Sequence, residues 1–306
     1  MLEKTPVLDL ICHLILLLGA ALVCLPLYFV FVTGTLSQEE VLVVPMSRLP
    51  SNQFFVNLAT ILEKASFGRQ LLNSFVVALG VTVGKLSISI IAAFAVTYFR
   101  FPFRKTAFWL IFVSLMLPIE VRIVPTYESA ANVALPLNVL STWFDLSGLF
   151  SRIAGREVEV GLDWNMVNTY PGLILPLIAS ATATFLFRQF FLTVPDELLE
   201  AALIDGARPM QFFRLILLPL SRSNIIALGI ILFLAGWNQY LWPLLMTTDL
   251  QMSTAVVGLK KLLPPPDGLP SWHLLMNAAL ITMLPPALVI LVLQRWFVKG
   301  LIDSGK

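Results

Sequence analysis

The sequence predicts an all-α polytopic membrane protein with six transmembrane helices. Composition gives the class: 58% of the 306 residues are apolar and only 12% are charged, against about 25% charged in soluble domains. Run length gives the architecture, because several apolar stretches reach the roughly 20 residues that cross a hydrocarbon core about 30 Å thick. Loop charge gives the orientation. One set of short loops, together with both termini, holds 11 of the 20 basic residues, and the longer opposite loops hold seven. The dense side is expected to be cytoplasmic. The whole chain, 1–306, reads as a single transmembrane domain.

The expected spans are 11–33, 70–98, 106–129, 170–192, 223–246 and 274–297. The first carries Pro26, which a membrane helix with neighbours tolerates. It has no small-residue cleavage site and reads as retained. Cys12 and Cys24 both lie on it, about 18 Å apart along a helix, too far to pair; they read as small core residues. A polar segment at 34–69 precedes the second span, which is spotted with Gly and Ser as packing faces are. The basic turn FRFPFRK leads to the third span, with Pro118, Glu120 and Arg122. A mixed segment at 130–169 follows. Trp143, Trp164, Trp242, Trp272 and Trp296 fall near expected interfaces.

The polar stretch 193–219, TVPDELLEAALIDGARPMQFFRLILLP, interrupts this apolar pattern. Thr193 suits an N-cap, Pro195 the first turn, and Asp196 and Glu197 the positive end of a helix dipole. Leu198, Leu199, Ala202 and Leu203 recur at helical spacing. Asp205-Gly206 breaks the run, and Pro209 opens a second helical piece that Pro219 is expected to end. Periodicity allows two readings: an amphipathic loop resting on lipid, or a knob docking in a groove of another protein.

Glu200-Ala201-Ala202, Gly206, and then, nine residues on, Ile216-x-Leu218-Pro219 resemble the EAA signature of bacterial ABC-importer permeases. NSFVVALG at 73–80, FRFPFR at 99–104, GWNQYLWPLL at 236–245 and QRWFVKGLIDSGK at 294–306 resemble the carbohydrate-type branch. LMLPIEVRIVPT at 115–126 and ASATATFLFRQFF at 179–191 resemble the members of that branch that carry sn-glycerol-3-phosphate. The segment 138–168 is longer and more charged than the family pattern, and its role is unassigned.

The resemblance implies a type I ABC-importer permease fold with coupling helices at 195–219. Glu200, Ala201, Ala202, Asp205, Gly206, Phe212, Phe213 and Pro219 would then meet the ATPase subunits. It also implies a sister permease, two ATPase subunits that bind the ATP and Mg, and a periplasmic substrate-binding protein. The setting would be the bacterial inner membrane, with both termini cytoplasmic. The implied cargo is sn-glycerol-3-phosphate or a glycerophosphodiester. A neutral sugar or polyol is the alternative within the family.

Lys85, Glu120 and Arg122 fall inside spans, where ionisable residues are rare and face a cavity or one another. Glu120 and Arg122 point about 200° apart on a regular helix and do not form a simple pair. Two readings stay open: interhelical and interfacial structure, or cations facing the translocation cavity, where Arg suits phosphate. Asn73, Asn238 and Gln239 could supply neutral hydrogen bonds there, and Trp237 an aromatic surface. His13 and His273 have no partners at metal spacing. No GxxxxGK[ST], HExxH or GxSxG occurs, so the chain is expected to be non-catalytic, without metal or cofactor of its own. The net charge of +2 points to no nucleic-acid partner. The competing class is an ion-coupled secondary transporter with Glu120 as its ion site. It is disfavoured because no inverted repeat is visible.

Overall fold

The structure, a computed structural model, describes residues 6–64, 66–114, 119–155, 163–263, 268 and 271–303. Every regular element among them is helical: α1 Pro6–Thr35, α2 Gln38–Leu42, α3 Phe54–Lys64, α4 Phe67–Tyr98, α5 Arg104–Val113, α6 Ile119–Ala131, α7 Leu135–Trp143, α8 Leu146–Ala154, α9 Tyr170–Ile174, α10 Ala181–Phe191, α11 Asp196–Ile204, α12 Pro209–Phe212, α13 Leu218–Leu220, α14 Arg222–Trp237, α15 Leu241–Met246, α16 Ala255–Lys261 and α17 Trp272–Asp303.

Three helices, α1, α4 and α17 up to Gln294, are each long and apolar enough to cross a membrane; counting two bent pairs as one span apiece gives up to five. The expected span 106–129 is represented by α5 and α6, and residues 115–118 between them lie outside the described residues. The expected span 170–192 is interrupted. A 3-10 turn, Leu175–Leu177, follows α9, and α10 leaves at 48°. Pro176 removes a ladder donor. Ser180 turns extended, and its hydroxyl caps the Ala183 N–H at 3.3 Å, starting a fresh helix. The expected span 223–246 stops at Trp237 and restarts at Leu241, where Pro243 fits the first turn because no partner is needed for its missing N–H.

The chain divides into two compact units, and the division falls within α4 and α17. The first comprises Met1–Leu71 and Ala255–Pro285. Its core gathers Ile61, Phe67, Ala255 and Ala278. The Asn277 amide donates to Gly34 O at 3.1 Å and Phe54 O at 3.0 Å, and Asn57 donates to Gly34 O at 3.0 Å and Leu36 O at 2.9 Å. A Cβ on Gly34 would sit 3.2 Å from the Asn277 backbone, so the approach there needs glycine. The rest of α1 is apolar and exposed, as suits lipid or another chain. Cys12 and Cys24 lie on this exposed surface and are not core residues, because the buried residues of α1 lie in its last turn.

The second unit, Leu72–Thr254 and Pro286–Lys306, holds two cores. One joins Val77 and Val81 of α4 to Ile123, Met166, Leu173, Leu177, Trp242 and Met246. The fully buried Asn73 braces it. Its amide donates to Gln251 O at 2.7 Å and Ser253 O at 3.0 Å, and its carbonyl accepts from the Tyr170 hydroxyl at 2.7 Å. Asn73 is therefore a structural tie. The expectation that it lines a solute path fails because its donors are already spent. Replacing Asn73 with Leu should lower the melting temperature of the detergent-purified protein, since each orphaned buried group costs about 1–3 kcal/mol; unchanged melting would refute the brace.

Candidate functional site

The stretch after α10 forms a short helical elbow. Thr193 does not cap α11: its hydroxyl turns back to Phe190 O at 2.7 Å, and Pro195 occupies the cap position without a side-chain bond. The charges of Asp196 and Glu197 still lie on the first turn. At the other end the Ala207 N–H bonds Ala202 O at 2.9 Å, and the Gly206 N–H bonds Leu203 O at 3.1 Å. This is a Schellman closure, with Gly206 left-handed at φ +71. A Cβ at Gly206 would meet nothing within 4 Å in this chain, so the glycine serves backbone conformation and not close packing.

The second piece opens with Pro209, and Gln211 Oε1 accepts the Arg208 N–H at 2.7 Å. Pro219 does not end it. A π-turn, Phe213–Leu217, widens the backbone ladder just before Pro219, and the helical path continues through α13. Such a bulge accommodates the missing N–H and the bulky ring. The pieces from Pro209 to Leu220 then meet α14 at 72°.

Ala202, Phe212, Phe213 and Leu217 are buried with Ile90, Ala93 and Phe94 of α4, Phe187 and Phe191 of α10, and Leu228 and Leu232 of α14. The Phe213 ring lies 4.8 Å from Phe94, and Phe212 lies 5.3 Å from Tyr98, whose hydroxyl donates to Phe191 O at 3.3 Å. Of the residues expected to meet a partner, Ala202, Phe212 and Phe213 instead anchor the elbow to its own unit. Glu200, Ala201, Asp205, Gly206 and Pro219 are exposed. The sequence reading missed Leu203 and Ile204, which are 62% and 86% exposed. Ile204 stands four residues from Glu200 and so shares its outward face. An isoleucine at that phase, just before a polar Asp-Gly break, was the available signal.

A second feature lies among α4, α6 and the two helix breaks. A cavity of about 80 Å³ is lined by Lys85, Arg122, Ile123, Thr126, Pro176, Leu177, Ala179, Gln239 and Trp242. Three residues expected to line a substrate path, Lys85, Arg122 and Gln239, are thus brought together. The break at 238–240 places Gln239, and Gly84 lets Ile178 approach α4 where a Cβ would clash. Arg122, Thr126 and Pro176 also line an open depression of about 390 Å³ with Ser129 and Met166. Trp237 does not join them: it is 2% exposed and stacks on Phe233 at 6.0 Å. Asn238 is exposed at the end of α14 and lines neither space. Glu120 lies on the first turn of α6, and its side chain is outside the described residues.

A helical membrane chain with an outward-facing elbow is what a transporter permease requires, and comparison with known proteins agrees. Residues 85–303 match the family described as the binding-protein-dependent transport system inner membrane component. The chain belongs to this family of importer permeases and is an inner-membrane protein. It is 47% identical over 312 residues to the sn-glycerol-3-phosphate transport system permease protein UgpE of Pectobacterium atrosepticum, covering 100% of both chains. Proteins of that name from Yersinia pestis and Salmonella typhi are 46% identical over the same full length. Among solved structures, a bacterial ABC transporter involved in the import of the acidic polysaccharide alginate matches with a TM-score of 0.73 at 16% identity, covering 97% of this chain and 99% of that one. That likeness supports the fold.

Truncating Phe213 to Ala should cost about 3–5 kcal/mol by emptying the aromatic mount. The check is thermal unfolding in detergent, with the exposed Leu215→Ala as a control expected to change little.

Proposed function

We propose that this chain is one of two different permease subunits of an ATP-driven importer of sn-glycerol-3-phosphate or its diesters. The full-length relatives carry that name, and two cations at one cavity suit a phosphorylated cargo. ATP and Mg bind the partner ATPase subunits, and this subunit is non-catalytic. The loop-charge asymmetry supports a cytoplasmic position for both termini and for the elbow 193–219.

The observation that carries the reading is the elbow. An exposed apolar pair, Leu203 and Ile204, sits beside Glu200 on a helix fastened from beneath by aromatic rings. A soft loop would absorb a mechanical stroke, whereas this one passes displacement to α4, α10 and α14. Closure of the ATPase dimer would move α11, tilt the permease pair and open the cavity to the periplasmic binding protein.

The complex of this chain, its sister permease, two ATPase subunits and the binding protein, reconstituted in proteoliposomes, should take up labelled sn-glycerol-3-phosphate only with ATP. Uptake without the ATPase subunits would sink the reading. Ile204→Glu should leave the chain inserted and folded while weakening recovery of the ATPase subunits on co-purification by about 30-fold or more, as for a hot-spot loss of at least 2 kcal/mol. Gly206→Asp should also leave the chain folded, since Asp tolerates the left-handed region at a cost of roughly 1–2 kcal/mol, yet uncouple transport from hydrolysis. Normal coupled transport by both variants would refute the docking surface.

A further inference from the structure

Two cations share one small cavity beside α4 and α6, and no carboxylate lines that cavity or the adjoining depression among the described residues. A cation held within a membrane span needs an anionic or hydrogen-bonding partner. Arg122 is placed at the junction, because it borders both spaces. Lys85 and Gln239 border only the inner one. The two spaces differ in size and chemistry. The inner one, about 80 Å³, holds a few waters or one small oxyanion. Thr126, which like Arg122 borders both spaces, and Ser129, which borders only the outer one of about 390 Å³, each carry a hydroxyl. Those hydroxyls donate to Arg122 O at 2.7 Å and Pro125 O at 2.8 Å, so their oxygens keep lone pairs that can accept from a polyol.

We propose that Arg122 and Lys85 form a two-step path for the phosphate group of the cargo, read by this subunit itself. This rests on the importer reading above. Arg122 takes the phosphate first with its planar fork, from the open depression. Lys85 then draws it into the inner cavity as a point charge, with Gln239 donating its amide N–H. The glycerol hydroxyls stay toward Thr126 and Ser129. The match is one of group size: the inner space has about one fifth the volume of the outer.

The test uses the reconstituted five-component complex. Initial uptake rates of labelled sn-glycerol-3-phosphate are measured beside the ATPase stimulation caused by loaded binding protein. Arg122→Ala and Lys85→Met should each lower uptake roughly 10- to 100-fold, the loss expected for one charge-assisted hydrogen bond. Stimulated ATP hydrolysis should stay near wild type, which shows that the complex still assembles and still answers the loaded binding protein. Arg122→Lys and Lys85→Arg should recover part of the uptake. Wild-type uptake by both neutralised variants overturns the proposal. So does a loss that comes with dissociation of the complex, or one that neither charge-conserving variant relieves, since both mark the cations as structural. A wild-type complex that hydrolyses ATP but carries no sn-glycerol-3-phosphate strikes instead at the importer reading.

Discussion

The stack of rings that joins Phe213 to Phe94, at 4.8 Å, and Phe212 to Tyr98, at 5.3 Å, is the constraint on which the second unit depends. α11 is only nine residues long, and a helix that short is marginal by itself. Its shape must come from its ends and its underside. The Schellman closure at Gly206 fixes one end, and the buried Ala202 and half-buried Leu199 fix the underside against the same core. Ring pairs contribute about 0.5–1.5 kcal/mol each beyond their buried area. Several in one cluster make the elbow move as part of the bundle. The mount also reaches the cavity through covalent continuity. Phe94 and Lys85 lie on one helix, nine residues apart, or about 13–14 Å of helical rise.

The cavity arises where helices break, and the breaks are satisfied. In an apolar surrounding, irregular backbone survives only where protein or water supplies partners. At the 175–180 break the Ser180 carbonyl accepts the Thr184 N–H at 3.1 Å and also the hydroxyls of Ser89 at 3.1 Å and Thr184 at 3.0 Å. Nearby, the Trp242 indole N–H donates to Gly172 O at 3.2 Å and secures α15 against α9. The interruption at 175–180 thus borders the pocket with its Ser180 carbonyl already paired. The break at 238–240 brings Gln239 to the same space as Lys85.

What the sequence revealed tracks the physics behind each signal. α1, α4 and α17 were legible from run length alone, because uninterrupted apolar composition is a one-dimensional property. The interruption at Ser180 was not, since a serine in an apolar run reads equally well as a packing residue. The elbow's location was legible from Pro195, Gly206 and Pro209. Its orientation was not: periodicity gives spacing but not phase. The apolar positions 198, 199, 202 and 203 therefore merged into one face, when Ala202 looks inward and Leu203 outward. The π-turn before Pro219 left no mark, because its residues, FRLIL, suit an ordinary helix. Asn73 misled for a related reason. An asparagine in a span is polar whether it serves solute or backbone, and only the positions of Gln251 and Ser253 decide.

The two functional features also differ in what they ask of evolution and of physics. The elbow is a short consecutive piece, so its demands are local: a cap, a glycine in the left-handed region, and apolar residues at set phases. Such demands leave a compact pattern in consecutive residues. The cavity draws Lys85 and Arg122 from two helices and Gln239 from the break at 238–240, separated by dozens of residues, so nothing consecutive records it. Charge within a span is its one sequence trace, and that trace is shared by structural ion pairs. The convergence of Lys85, Arg122 and Gln239 on one lining is what only the folded arrangement supplies. The elbow is therefore recorded in one short stretch, while the cavity is written across the bundle.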